Sequence, residues 1–269
     1  MTLTSLKTFA WAAIAALTAG TALAQETPVT IAISGWTGFA PLTLAREAGL
    51  FKKHGLNVTI KKIPQKDRHL AIASGDVQCA ATTVETWIAW NAAGVATTQI
   101  FQLDKSFGAD GMVVKPAIRT IAGNTDIDGG MTYEPFLSAV RAKPEAGKII
   151  ATTLDYPMIM DTFGCTPKFL ADNAKAAQGL TNGYFDALEM IQKSPKQSFE
   201  IMGADVKQSA EAFEASQKYL RWQDRAANQK FFAGEHLAFS KEAASLLLVA
   251  GIIKQIPDLS KLADTRFIK

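Results

Sequence analysis

Histidine and cysteine are scarce in this chain, and their scarcity removes most catalytic chemistry at once. The three histidines, His54, His69 and His236, have no metal-ligand spacing, and there is no CxxC, HExxH or GxSxG motif and no phosphate-cradling glycine loop. Each histidine is therefore read as a surface or core residue, no metal or cofactor is expected, and no catalytic constellation is assigned. The two cysteines, Cys79 and Cys165, are too few for a disulfide framework. Export would permit one bridge, but nothing in the sequence fixes their separation, so Cys79 is taken as a small buried strand residue. An excess of one charge is also missing: 28 basic and 25 acidic residues leave a net +3, which argues against nucleic acid as a partner. Apolar runs long enough to span a bilayer are absent too. The longest in the body of the chain, Ser245 to Ile253, is read as a core helix.

What is present begins with Lys7, an apolar run from Phe9 to Leu17, and Ala22-Leu23-Ala24 before Gln25. This pattern is that of a secretory signal peptide over residues 1–24, so a periplasmic protein starting near Gln25 is expected.

The remainder is organised around Val77-Gln78-Cys79-Ala80-Ala81-Thr82-Thr83-Val84-Glu85-Thr86-Trp87. A small apolar run of this kind reads as a buried parallel strand, with Glu85 just past its carboxyl end, where ligands bind in open α/β sheets. A weaker copy follows at 126–136, ending in Thr132-Tyr133-Glu134-Pro135-Phe136. A second echo pairs the strand ending at Asp104 with the one ending at Asp155. Two similar α/β lobes would thus offer Glu85, Asp104, Glu134 and Asp155 to a shared cleft, with Trp87 beside Glu85, Tyr133 beside Glu134 and Tyr156 beside Asp155. Any one acid could instead charge the first turn of the next helix. Its recurrence in pairs favours binding. Trp36 and Thr37, in the Ser34-Gly35-Trp36-Thr37-Gly38 loop, and Thr83 complete the candidate ligand site.

In order, Val29–Ile33 reads as a strand, residues 39–48 as a helix with Pro41 in its first turn and Gly49 at its stop, 57–63 as a strand and 66–74 as a helix. The organising strand, a helix from Trp87 and a strand to Leu103 follow. This β-α-β-α-β-α-β order implies a parallel sheet. Gly111 to Pro116 is read as the strand leaving the first lobe and a hinge, and the chain after Cys165 as helical.

The stretches Ser34-Gly35-Trp36-Thr37-Gly38-Phe39, Ala45-Arg46-Glu47-Ala48-Gly49-Leu50-Phe51-Lys52-Lys53-His54-Gly55-Leu56-Asn57-Val58 and Ile72-Ala73-Ser74-Gly75-Asp76-Val77 resemble periplasmic substrate-binding proteins of ABC importers in the nitrate/sulfonate/taurine/bicarbonate group. The resemblance implies a two-lobed flytrap fold with parallel-sheet lobes: 25–112 with 166–269 as lobe 1 and its C-terminal helices, 113–165 as lobe 2. It also implies a monomer that binds a small molecule and delivers it to permease and ATPase subunits. The loops rich in acids and aromatics look most like members linked to urea and guanidine. Within lobe 2, Ile118-Arg119-Thr120-Ile121 runs straight into Ala122-Gly123-Asn124, so a β-α-β unit and the loop opposite Trp36 are expected to be missing and the lobe shortened. The alternatives are a taurine, sulfonate or nitrate binder of the same family, or an enzyme like the pyrimidine synthases of thiamine biosynthesis, which use a similar fold.

Overall fold

The computed structural model describes residues 26–116 and 129–269. The expected signal peptide, the Ile118–Asn124 junction and Asp126–Asp128 lie outside the described residues.

The first half alternates as its sequence predicts: β1 (Thr27–Ile33), α1 (Ala40–Glu47), α2 (Leu50–Lys53), β2 (Leu56–Lys62), α3 (Gln65–Ala73), β3 (Cys79–Thr83), α4 (Val84–Ala92) and β4 (Thr98–Ser106). Gly49 stops α1 in the left-handed region, at φ 72°. The alternation of β1 sorts its side chains between two helical layers. Ile31 and Ile33 face the helices of the main core, whereas Ala32 faces Ile72, Trp87 and Trp90 of α3 and α4.

Next come β5 (Asp110–Val114), β6 (Gly129–Tyr133), α5 (Phe136–Ala142), β7 (Lys148–Thr152) and β8 (Met160–Cys165). The C-terminal part is helical: α6 (Pro167–Asp172), α7 (Ala174–Lys193), α8 (Pro195–Asp205), α9 (Ala210–Gln217), α10 (Arg225–Lys230) and α11 (His236–Val249), interrupted by the short β9 (Leu220–Trp222). In α7 Tyr184, Ala187 and Leu188 are buried, as their spacing predicts.

A six-stranded sheet has the order β2-β1-β3-β8-β4-β9, and a smaller one the order β6-β5-β7. β1 pairs in parallel with β2 and β3. β3 and β4 are both antiparallel to β8, so β1 to β4 run the same way and β8 runs back between two of them. The smaller sheet repeats the arrangement: β6 and β7 are both antiparallel to β5, which lies between them. Each unit is therefore a strand-helix-strand crossover, β3-α4-β4 or β6-α5-β7, that leaves room for one inserted antiparallel strand. The sequence echo has this structural counterpart.

Three expectations change. β5, read as an exit strand and hinge, is the centre of the smaller sheet. Met160–Cys165, placed with lobe 2, is an inner strand of the larger sheet, where a Cβ on Gly164 would collide with the backbone of Thr98 and Gln99. Ser245 to Ile253 is core only in part: α11 buries Ala243 and Ala244 against α4, and Ile253 and Leu247 join that cluster, while Leu246 and Ile252 are exposed and Val249 is 87% exposed. A run apolar on every face says nothing of which face finds a partner.

The insertion of β8 puts Cys79 opposite Cys165, and the two form a disulfide, contrary to the unpaired reading. Nearby, Phe101 stacks between Phe163 and Tyr184, each at 4.9 Å. Among the described residues the smaller sheet has three strands and one helix, so that lobe is the lesser. No described helix is long and apolar enough to cross a membrane.

Candidate functional site

The chain crosses between the sheets after Ser106 and again before Met160, and a cavity of about 220 Å³ lies where the strand ends meet. The larger lobe contributes Ser34, Trp36 and Phe39 from the loop after β1, Arg68 from α3, and Thr83 and Asp161 from its sheet to the wall, and the smaller sheet contributes Asp110 and Tyr133. Trp36 and Tyr133 close it across the lobes, edge to face at 5.6 Å. Thr37 N donates to the carbonyl of Glu134 at 3.5 Å, a second contact across the divide.

Trp36 is aimed from below: its Nε1 donates to Asp104 Oδ2 at 3.3 Å. Gly38 makes the approach possible, because a Cβ there would collide with both Asp104 Oδ2 and Trp36 Nε1. Overpacking of this kind costs about 1–3 kcal/mol. Gly38→Ala should therefore lower the melting temperature by a few degrees and shift tryptophan emission as Trp36 leaves Asp104. An unchanged spectrum and melt would show that the loop absorbs the methyl group.

Acids dominate the electrostatics. Asp161 lies opposite both Thr83 and Asp104 in the strand register. Burial pushes the Asp104 carboxyl well above the usual range, although the Trp36 N–H opposes it. Burial does the same to Asp161, reinforced by Asp104, Asp110 and Glu85 and opposed by Arg68. Asp110 is raised to about 6, by burial and by Glu134, against a hydrogen bond from Ser106. Glu85, in the first turn of α4, is raised by burial, partly offset by the Thr83 hydroxyl. Glu85 Oε2, Asp104 Oδ1 and Asp110 Oδ2 are buried without a hydrogen-bond partner among the described residues. Against these four acids, the described residues of the cavity wall offer one cation, Arg68, which burial lowers to about 10. Its Nε donates to the Ile63 carbonyl at 2.8 Å and its Nη1 to that of Ala81.

The sequence candidates divide. Trp36, Thr83 and Tyr133 line the cavity, and Asp104 and Glu85 lie behind it. Thr37 is buried in the loop with an unpartnered hydroxyl. Trp87 does not reach the cleft: it is core, donating from Nε1 to Thr162 at 2.8 Å and packed on Trp90. Glu134 is buried but turned to its own lobe, where it pairs with Arg141 and accepts from Ser138 N at 3.1 Å. Asp155 is exposed and caps its own turn, accepting from Thr152 N at 2.8 Å. Tyr156 is exposed as well.

The acids the sequence reading missed, Asp110 and Asp161, replace those two. Both stand at the beginning of an inserted strand, which runs against its neighbours and so brings its amino end to the cleft where theirs bring carboxyl ends. A search for acids after strands cannot find them. The visible signal is an acid on entry to a strand, in Gly108-Ala109-Asp110-Gly111 and Met158-Ile159-Met160-Asp161. Beside the site a larger cavity, about 560 Å³, is lined by Pro135, Phe136, Ala139 and Val206, with Asp205 already paired to Lys62. Among the described residues no cluster of three or more His, Cys, Asp or Glu could hold a metal ion.

Comparison with known proteins agrees with the architecture. A family described as NMT1/THI5 like matches residues 36–115. No curated protein matches the chain in sequence. The ligand-binding component of an ABC-type import system from Staphylococcus aureus, solved with zinc bound, superposes with TM-score 0.73 at 14% identity, covering 90% of this chain and 98% of that one. The alkanesulfonate-binding protein of Xanthomonas axonopodis pv. citri, bound to MOPS, gives 0.72 at 12% identity, over 90% and 99%. The periplasmic aliphatic sulphonate binding protein of Escherichia coli gives 0.68 at 12% identity, over 88% and 91%. At such identities the likeness establishes the fold, that of the periplasmic binding proteins.

Proposed function

We propose that this chain is the periplasmic solute-binding component of an ABC importer, that its ligand is a small, planar, nitrogen-rich molecule, a guanidinium-like cation first and urea next, and that it hands this ligand to membrane permease and ATPase subunits. Binding rather than catalysis is the activity assigned. The observation that carries the ligand class is the imbalance at the cleft: Glu85, Asp104, Asp110 and Asp161 against Arg68, the one cation among the described residues of the cavity wall. Unpaired buried carboxylates hold their protons, and a cation that pairs with them restores their ionised form. A guanidinium offers planar, paired N–H donors to a carboxylate and stacks on aromatic faces such as Trp36 and Tyr133. The division of labour follows the two sheets, with lobe 2 centred on β5.

A second reading rests on Arg68 and on the sulfonate ligands of the structural relatives: an oxyanion held by the buried guanidinium. Two of its nitrogens already serve backbone carbonyls, and an anion would face the surrounding acids, a like-charge encounter that costs several kcal/mol.

The two readings differ in sign with pH. A cation needs ionised acids, so its affinity should fall as pH drops through about 6, the Asp110 value, by up to about tenfold per unit for each proton displaced. An oxyanion should bind equally or better at low pH. Titration calorimetry with guanidinium, urea, taurine and nitrate at pH 5 and 8 tests this. At one hundred times its Kd the correct ligand should also stabilise the fold by about 2.7 kcal/mol. Stabilisation by taurine or nitrate alone would overturn the cation reading.

A further inference from the structure

We infer that the ligand is not a bare cation but one carrying an apolar substituent, housed in a methionine-lined groove that continues the carboxylate cavity over the face of the smaller sheet. The inference rests on the cationic reading and extends it.

The groove follows from strand alternation. Asp110 and Met112 are two apart on β5, so they point to the same face, and Tyr133 and Met131 are two apart on β6. The register sets Asp110 beside Tyr133 and Met112 beside Met131. Along one face the sheet therefore passes in a single step from an acid-aromatic pair to a thioether pair. A second cavity of about 220 Å³ lies over that step, lined by Met112, Met131, Ala151, Tyr156, Met158 and Ile159, with Asp110 at its near end. Asp110 and Ile159 also belong to the wall of the carboxylate cavity, so the two spaces adjoin.

The exposure of these side chains is unusual for a protein with a well-filled core. Met131 is 69% exposed, Tyr156 62% and Met158 55%. Apolar surface gathered in one groove beside a binding site marks a contact surface. What it contacts follows from the neighbour it adjoins: Asp110 belongs to the wall of both spaces, so a molecule whose charged end is held there can lay an apolar chain along this groove. Methionine suits the task, since its unbranched thioether adapts to chains of different shape. An alkyl or aryl guanidinium or amine has the required chemistry, with the head at the acids and the tail across Met112 and Met131.

Calorimetry with guanidinium, methylguanidinium, ethylguanidinium and n-butylguanidinium, with n-butylsulfonate as the anionic counterpart, tests the inference. Affinity should rise along the cation series, by up to about fourfold for each methylene buried. Met131→Gln, at an exposed position that should not disturb folding, should cut the ratio of butylguanidinium to guanidinium affinity at least fivefold. If guanidinium and butylguanidinium bind equally, the groove is overturned and the cation reading stands. If neither binds, or only the sulfonate does, both fall. A series that rises in the parent protein and equally in Met131→Gln would also overturn the groove.

Discussion

Asp110→Asn should raise the melting temperature of the ligand-free protein at pH 7.5 and, in the same molecule, weaken guanidinium binding by roughly 30- to 150-fold, the loss of one charge-assisted contact of about 2–3 kcal/mol. The stabilisation follows from linkage. The folded Asp110 carboxyl titrates near 6, above its ordinary 3.8, so between those values the native state holds the extra proton and stability declines as pH rises. Above pH 6 the full penalty is present, on the order of 2 kcal/mol after allowance for solvent around a group that is not fully buried. Asn removes the charge and keeps an acceptor for Ser106. For a chain of this size the gain amounts to about 4–8 °C. The signature is a difference between variant and parent that vanishes toward pH 4 and is complete above pH 7. A variant less stable at every pH would show that Asp110 serves the fold rather than the ligand.

Loss of the Cys79–Cys165 bond should cost about 2–5 kcal/mol, since the bridge closes a loop of sequence separation 86, for which chain entropy alone gives about 4–5 kcal/mol. Both cysteines are buried, so reductant should act only through the unfolded state. Urea unfolding at equilibrium with and without dithiothreitol should show a lower midpoint under reduction. The Cys79→Ala/Cys165→Ala double variant should match the reduced parent and ignore reductant. Equal midpoints in all four samples would mean that the pairing of β3 with β8 is secure without the bridge.

Legibility in the sequence tracked how local each determinant is. The apolar runs that make β1 and β3, the Gly49 stop and the amphipathic face of α7 all lie within a dozen residues, and they are found where the pattern puts them. The echo between β3-α4-β4 and β6-α5-β7 was legible for the same reason. What each crossover encloses was not, because strand partnership is decided by packing and no pattern inside Met160–Cys165 names its neighbours. From that one gap came the misplacement of β8, the unpaired cysteines and the choice of Glu134 and Asp155 over Asp110 and Asp161. Trp87 failed differently: an aromatic at the second turn of a helix that starts beside a cleft turns its ring inward once Thr162 offers an acceptor.

The place of β8 also dictates an order of assembly. β3 and β4 share no hydrogen bonds; each finds its inner partner only in residues that arrive after the whole smaller sheet. A chain ending near residue 150 would present two unpaired inner edges and an Asp104 with no Asp161 opposite, so it should remain a loosely collapsed, adhesive intermediate. Completion of the larger sheet must wait for its last inner strand. The carboxylate cavity then forms in the same cooperative step that closes the sheet, and no partial fold of the amino-terminal half carries a working version of it.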